Sequence, residues 1–123
     1  TPAPEARAIL GASSGGVFAT HVGLNHPDAF HLIALQSPAP NLALEDYDRL
    51  QKARDTLPLK FFISVGTIGD FTRPTRLLHE ILLAEGYPHR YIETNDGHAW
   101  GNYRALLDDL LIYFFGSGNA SNQ

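Results

Sequence analysis

Cysteine and methionine are both absent from the 123-residue sequence. Without cysteine there is no disulfide and no thiolate nucleophile or metal ligand, and the cellular compartment is left open. No apolar run approaches the roughly 18–20 residues that span a bilayer, and no signal peptide is visible. Positive charge is in the minority: net charge is −4 and no block of like charges occurs. That argues against nucleic acid or an anionic membrane as the main partner. A primary translation product begins with methionine, whereas this sequence begins at Thr1, so the expectation is that residues precede it.

What is present is ordinary for a soluble globular chain, with 44% hydrophobic and 18% charged residues, enough for one domain at this length. Residues 1–116 form that domain, and residues 117–123 read as a tail of flexible composition. Short apolar runs predict strands over 7–10, 31–36, 59–65 and 90–94. Helices are expected over 16–25 (apolar at Val17, Phe18, Val22 and Leu24), over 42–55 (Leu42, Leu44, Tyr47 and Leu50) and over 74–85, with Gly86 as a C-cap candidate. A last helix is expected over 101–115, with Leu106, Leu107, Leu110, Leu111 and Phe114 on one side. Strand and helix alternate four times. The expected fold class is α/β, a three-layer arrangement of a parallel sheet of about four strands with flanking helices.

In such sheets chemistry sits beyond the carboxyl ends of the strands. The first of those loops holds Gly11-Ala12-Ser13-Ser14-Gly15, a G-x-S-x-G pattern. A serine at a sharp strand-to-helix turn sits in strained backbone with its hydroxyl exposed, and glycine two residues before and after avoids collision. The following helix N-terminus and the Ser14 N–H then face a developing oxyanion. The pattern alone is also that of a tight βα turn without chemistry, or of a phosphate-binding glycine loop. The third loop, Gly66-Thr67-Ile68-Gly69-Asp70, offers an acid, and a turn or capping role is the ordinary use of such an aspartate. The fourth loop, Asn95-Asp96-Gly97-His98-Ala99-Trp100-Gly101, offers a histidine. His21, His26, His31, His79 and His89 fall where surface or packing roles are expected. Ser13, Asp70 and His98 come in the chain order Ser, acid, His that α/β-hydrolases use.

The stretches GASSGG, GLNHPDAFHLIALQSPA, FISVGTIGD and GHAWGNYR resemble the putative esterase family of the α/β-hydrolase superfamily. That family includes enterochelin esterases, feruloyl esterases and S-formylglutathione hydrolases. The resemblance runs to about Phe115. It implies a serine esterase that cleaves a carboxylic ester through an acyl-enzyme, with Ser13 as nucleophile, His98 as general base and Asp70 as the acid that orients it. Asp96 is the reserve acid. Trp100 is a candidate substrate wall beside His98; Tyr103 is a second, with core packing as its ordinary use. No cofactor is called for and no metal ligand is assigned. In the family several strands precede the serine strand, and one of their loops supplies a second oxyanion donor. The sequence therefore matches the C-terminal half of an α/β-hydrolase fold, a partial domain. Its first strand would be an exposed apolar edge. The expected partners are a small-molecule ester and either a second copy of the chain or the missing N-terminal half. A non-catalytic α/β module that assembles through that edge is the alternative. Asp70→Asn is expected to impair turnover and leave folding nearly unchanged.

Overall fold

The computed structural model of the chain describes residues 3–39, 44–52 and 56–116. A 3-10 turn, Pro4–Ala6, leads into strand β1 (Ala8–Ala12). There follow helix α1 (Ser14–Asn25), β2 (Leu32–Gln36), α2 (Leu44–Lys52), β3 (Lys60–Gly66), α3 (Thr72–Ala84), β4 (His89–Thr94), α4 (Trp100–Ala105) and α5 (Leu107–Phe115). The four strands form one sheet in the order β1-β2-β3-β4, every pair parallel. Among the described residues β1 and β4 are the edges.

Register explains the layers. Ile9, Ile33, Phe61 and His89 align across the sheet, and Leu10, Ala34, Phe62 and Arg90 form the next row. Adjacent rows point to opposite faces. On one face Ile33, Leu35, Phe61 and Ile63 pack with Ala19 and Leu24 of α1, Leu50 of α2 and Leu78, Ile81 and Leu82 of α3. On the other face Ala34 and Phe62 pack with Leu110 and Tyr113 of α5. The central strands are buried on both sides, so β2 and most of β3 read as continuous apolar runs. Each fully buried large apolar side chain contributes about 1.5–3 kcal/mol of burial free energy.

Two expectations need correction. First, α1 buries Gly16, Ala19, Thr20, Gly23 and Leu24, while Phe18 is 67% exposed. The helix lies too close to the sheet for a large side chain there: a Cβ on Gly23 would stand 2.3 Å from Ile33 Cδ1. Second, the last helix is two. It breaks at Leu106 (φ −102°, ψ 2°), which lets α4 face the carboxyl ends of the strands while α5 covers the sheet. Leu106, Leu110 and Tyr113 are buried, whereas Leu107 and Leu111 are on the exposed side. Helix α2 falls within the expected 42–55 and is described over Leu44–Lys52. Leu42, the side chains of Leu44 and Tyr47, and the tail at 117–123 lie outside the described residues. Gly86 has φ 76° directly after the Glu85 C-cap of α3, the left-handed position that ends a helix. No helix among the described residues is long and apolar enough to cross a membrane.

Candidate active site

The turn from β1 to α1 places Ser13 at φ 55°, ψ −121°, strained backbone for a residue with a side chain. Three backbone hydrogen bonds hold it. Ser13 N–H donates to the Gln36 carbonyl at 3.0 Å, and its own carbonyl accepts from Gly16 N–H at 3.0 Å and Ala39 N–H at 3.1 Å. Glycine is required at position 11, where a Cβ would lie 1.9 Å from the Gly15 carbonyl oxygen. It is not required on steric grounds at 15, where a Cβ would meet nothing within 4 Å. The tight position after the serine is Gly16, whose Cβ would lie 3.0 Å from Pro38. The expected glycine pair is thus shifted by one residue on its C-terminal side, because the loop after β2 presses against the turn there.

Three strand ends converge on His98. Its Nε2 is 2.9 Å from Ser13 Oγ, and its Nδ1 is 2.8 Å from Asp70 Oδ1. An ionised carboxylate only accepts, so Nδ1 carries the proton and Nε2 accepts from the serine hydroxyl. Phe71 meets the His98 ring edge-on at 5.0 Å and Tyr103 at 5.8 Å. The loop that carries His98 is pinned by buried Asn102, whose Nδ2 donates to the Gly97 carbonyl at 3.1 Å. Thr94 Oγ1 in turn donates to Asn102 Oδ1 at 2.9 Å.

The Asp70 side chain has no solvent exposure, while that of His98 is 32% exposed. Asp70 Oδ2 accepts from the Ser37 hydroxyl at 2.5 Å and from Gly66 N–H at 2.8 Å. Oδ1 accepts from Phe71 N–H at 2.8 Å in addition to His98. Burial pushes the carboxyl pKa up, but the donors, Ser37 foremost, outweigh it and hold it below the ordinary value. Gly66 must be glycine, since a Cβ would stand 2.1 Å from the Asp96 carbonyl oxygen. Asp96 itself is exposed, and it is its backbone carbonyl that engages this loop, accepting from Ile68 N–H at 3.1 Å. The acid bonded to His98 is Asp70.

Ser14 opens α1, where the first N–H groups have no intrahelical acceptor. Trp100 opens α4 and is 79% exposed, its ring 5.7 Å from that of Tyr103. Tyr103 is buried. Sequence reasoning missed Ser37, Phe71 and Asn102. Ser37 follows directly on β2 and precedes Pro38, where a serine reads as a turn residue. No cluster of three potential metal ligands occurs among the described residues.

Several solved structures share this architecture. A ferulic acid esterase superposes with a TM-score of 0.77 at 20% identity, covering 92% of this chain and 52% of its own. The enterobactin esterase of Shigella flexneri gives 0.81 at 18% identity, covering 94% of this chain and 32% of its own. The S-formylglutathione hydrolase of Staphylococcus aureus gives 0.74 at 16% identity, covering 89% and 51%. The chain thus spans about half the length of two of these structures and a third of the other. No curated protein matches it in sequence. The family model described as "Putative esterase" matches residues 1–114, nearly the whole chain, and the chain belongs to that family.

Proposed function

We propose that this chain is a serine hydrolase of the esterase type, cleaving a carboxylic ester through an acyl-enzyme on Ser13. The observation that carries the reading is the unbroken hydrogen-bonded line from Ser13 Oγ through His98 to Asp70, at 2.9 and 2.8 Å. It joins residues 85 and 28 positions apart in sequence.

The chemistry follows from the donors and acceptors. As Ser13 Oγ attacks the ester carbonyl, His98 Nε2 takes its proton, and the imidazolium is held by Asp70 Oδ1. The Ser14 N–H donates to the carbonyl oxygen as it gains charge. His98 returns the proton to the departing alcohol. A water then gives its proton to His98 and attacks the acyl group, and His98 passes that proton to Ser13 Oγ as the acid departs. The steps balance with water alone. Trp100, exposed and packed edge-on against Tyr103, is the proposed wall for the substrate.

The proposal includes an assembly. β1 has no strand on its outer side among the described residues, and Leu10 beside that edge is 47% exposed. A second strand pairing there, from another copy of this chain or from an N-terminal segment, would cover it and bring a second oxyanion donor close to Ser13. Loss of one such donor costs about 10²–10³ in turnover, so the 13.5 kDa chain by itself should be a weak esterase. Light scattering is expected to give a mass above that of one chain; a soluble monomer at high concentration refutes the pairing. Without catalysis, the same exposed edge favours a binding module as the second reading.

Turnover of p-nitrophenyl esters separates the two. Activity lost in both Ser13→Ala and His98→Ala supports the esterase. Activity equal in the native chain and both variants refutes it.

A further inference from the structure

The segment after β2 lies between the Ser13 turn and the Asp70 loop, and it carries a serine outside the proposed reaction. Ser37 is fully buried. Its φ is 48°, in the left-handed region that non-glycine residues rarely occupy. Such backbone persists only where its surroundings fix it. Here its N–H donates to the Ser64 carbonyl at 2.8 Å, and its hydroxyl donates to Asp70 Oδ2 at 2.5 Å. Because the carboxylate can only accept, the Ser37 hydrogen points at Asp70 and the oxygen lone pairs point elsewhere. The neighbours of Ser37 tie the same parts together: the Gln36 side chain donates to the Tyr103 carbonyl at 2.9 Å, and the Gln36 carbonyl and Ala39 N–H hold Ser13.

We propose that Ser37 is a positioning residue for Asp70, and that it extends the hydrogen-bonded line to Ser37–Asp70–His98–Ser13. This deepens the esterase reading and rests on it. Ser37 fixes the carboxylate plane so that Oδ1 faces His98 Nδ1. It also draws carboxylate charge toward Oδ2, away from the imidazole. Without that hydroxyl the charge at Oδ1 rises, and His98 holds a proton to higher pH.

The test uses the full chain with Ser37→Ala and Ser37→Gly, both of which lose the hydroxyl; glycine also suits the left-handed backbone at this position. Two quantities are read against pH: the rate of labelling by a fluorophosphonate and the NMR titration of the His98 ring protons. Both variants are expected to slow labelling about tenfold and to raise both the acid limb and the His98 titration by about 0.5–1 pH unit. A folded variant with an unshifted His98 titration overturns the proposal. If Ser37→Ala does not fold, Ser37→Gly decides alone. A native chain that is never labelled defeats the esterase reading, while the NMR titrations still decide whether Ser37 acts on the Asp70–His98 pair.

Discussion

Asp70→Asn tests the site and the fold together, and the structure sets the size of both effects. Asp70 accepts four hydrogen bonds, two on each oxygen. An amide supplies one oxygen, and its NH₂ only donates. If the NH₂ takes the Oδ2 side, it faces the buried Gly66 N–H, and Ser37 must turn its hydroxyl round to accept. If it takes the Oδ1 side, it faces the half-buried Phe71 N–H, and His98 must accept at Nδ1. The second arrangement leaves the less buried donor unpaired and keeps Ser37 as it is, so it should win. It costs about 1–2 kcal/mol for the orphaned N–H, a fall of about 3–10 °C in melting temperature for a domain of this size. The expectation from sequence, of folding nearly unchanged, is therefore revised. The same arrangement moves the His98 proton to Nε2, facing Ser13, where it can no longer take the serine proton. Labelling by a fluorophosphonate should fall by about 10⁴. Thermal unfolding by circular dichroism and the labelling rate measure the two effects. A variant as stable as the native chain, and labelled within tenfold of it, would refute the reasoning.

Gly11→Ala should abolish labelling and lower the melting temperature, because its Cβ would stand 1.9 Å from the Gly15 carbonyl oxygen and backbone cannot yield there; native-like labelling would show that the turn is looser than described. His79 is held below its ordinary pKa of 6.5, by burial first and then by the charge of His89, whose Nε2 lies 2.9 Å from His79 Nδ1. A base with a depressed folded-state pKa favours the folded state fully above its unfolded pKa, so stability should fall as pH drops below about 6.5. Melting curves at pH 7.5 and 5.5 should show a smaller drop in His79→Gln than in the native chain; an equal drop would place the acid sensitivity elsewhere.

The fold was legible because its central strands are covered on both faces. β2 and β3 carry apolar residues without alternation, which distinguishes them from a half-exposed sheet. Element ends were legible where backbone chemistry is specific, as at Gly86 with φ 76°. Side-chain placement was less so. Phe18 fits a helical apolar pattern, but the seat of α1 is set by how closely Gly16 and Gly23 approach neighbouring residues. That is a tertiary fact with no local signature. The break at Leu106 was invisible for a similar reason: nothing in LeuLeu announces a change of direction between α4 and α5. At the site, Ser13, Asp70 and His98 could be picked out by their places after strands β1, β3 and β4. Ser37 could not, because a serine before a proline reads as a turn residue. Only the folded sheet brings its hydroxyl to Asp70.

The account stands most directly on whether Ser13 is a nucleophile. The full chain should be treated with a fluorophosphonate at neutral pH, digested and analysed by mass spectrometry. The account predicts a single adduct, on Ser13, that disappears in His98→Ala although the variant remains folded. No adduct on the folded native chain, or an adduct on Ser13 that survives loss of the histidine, would contradict it.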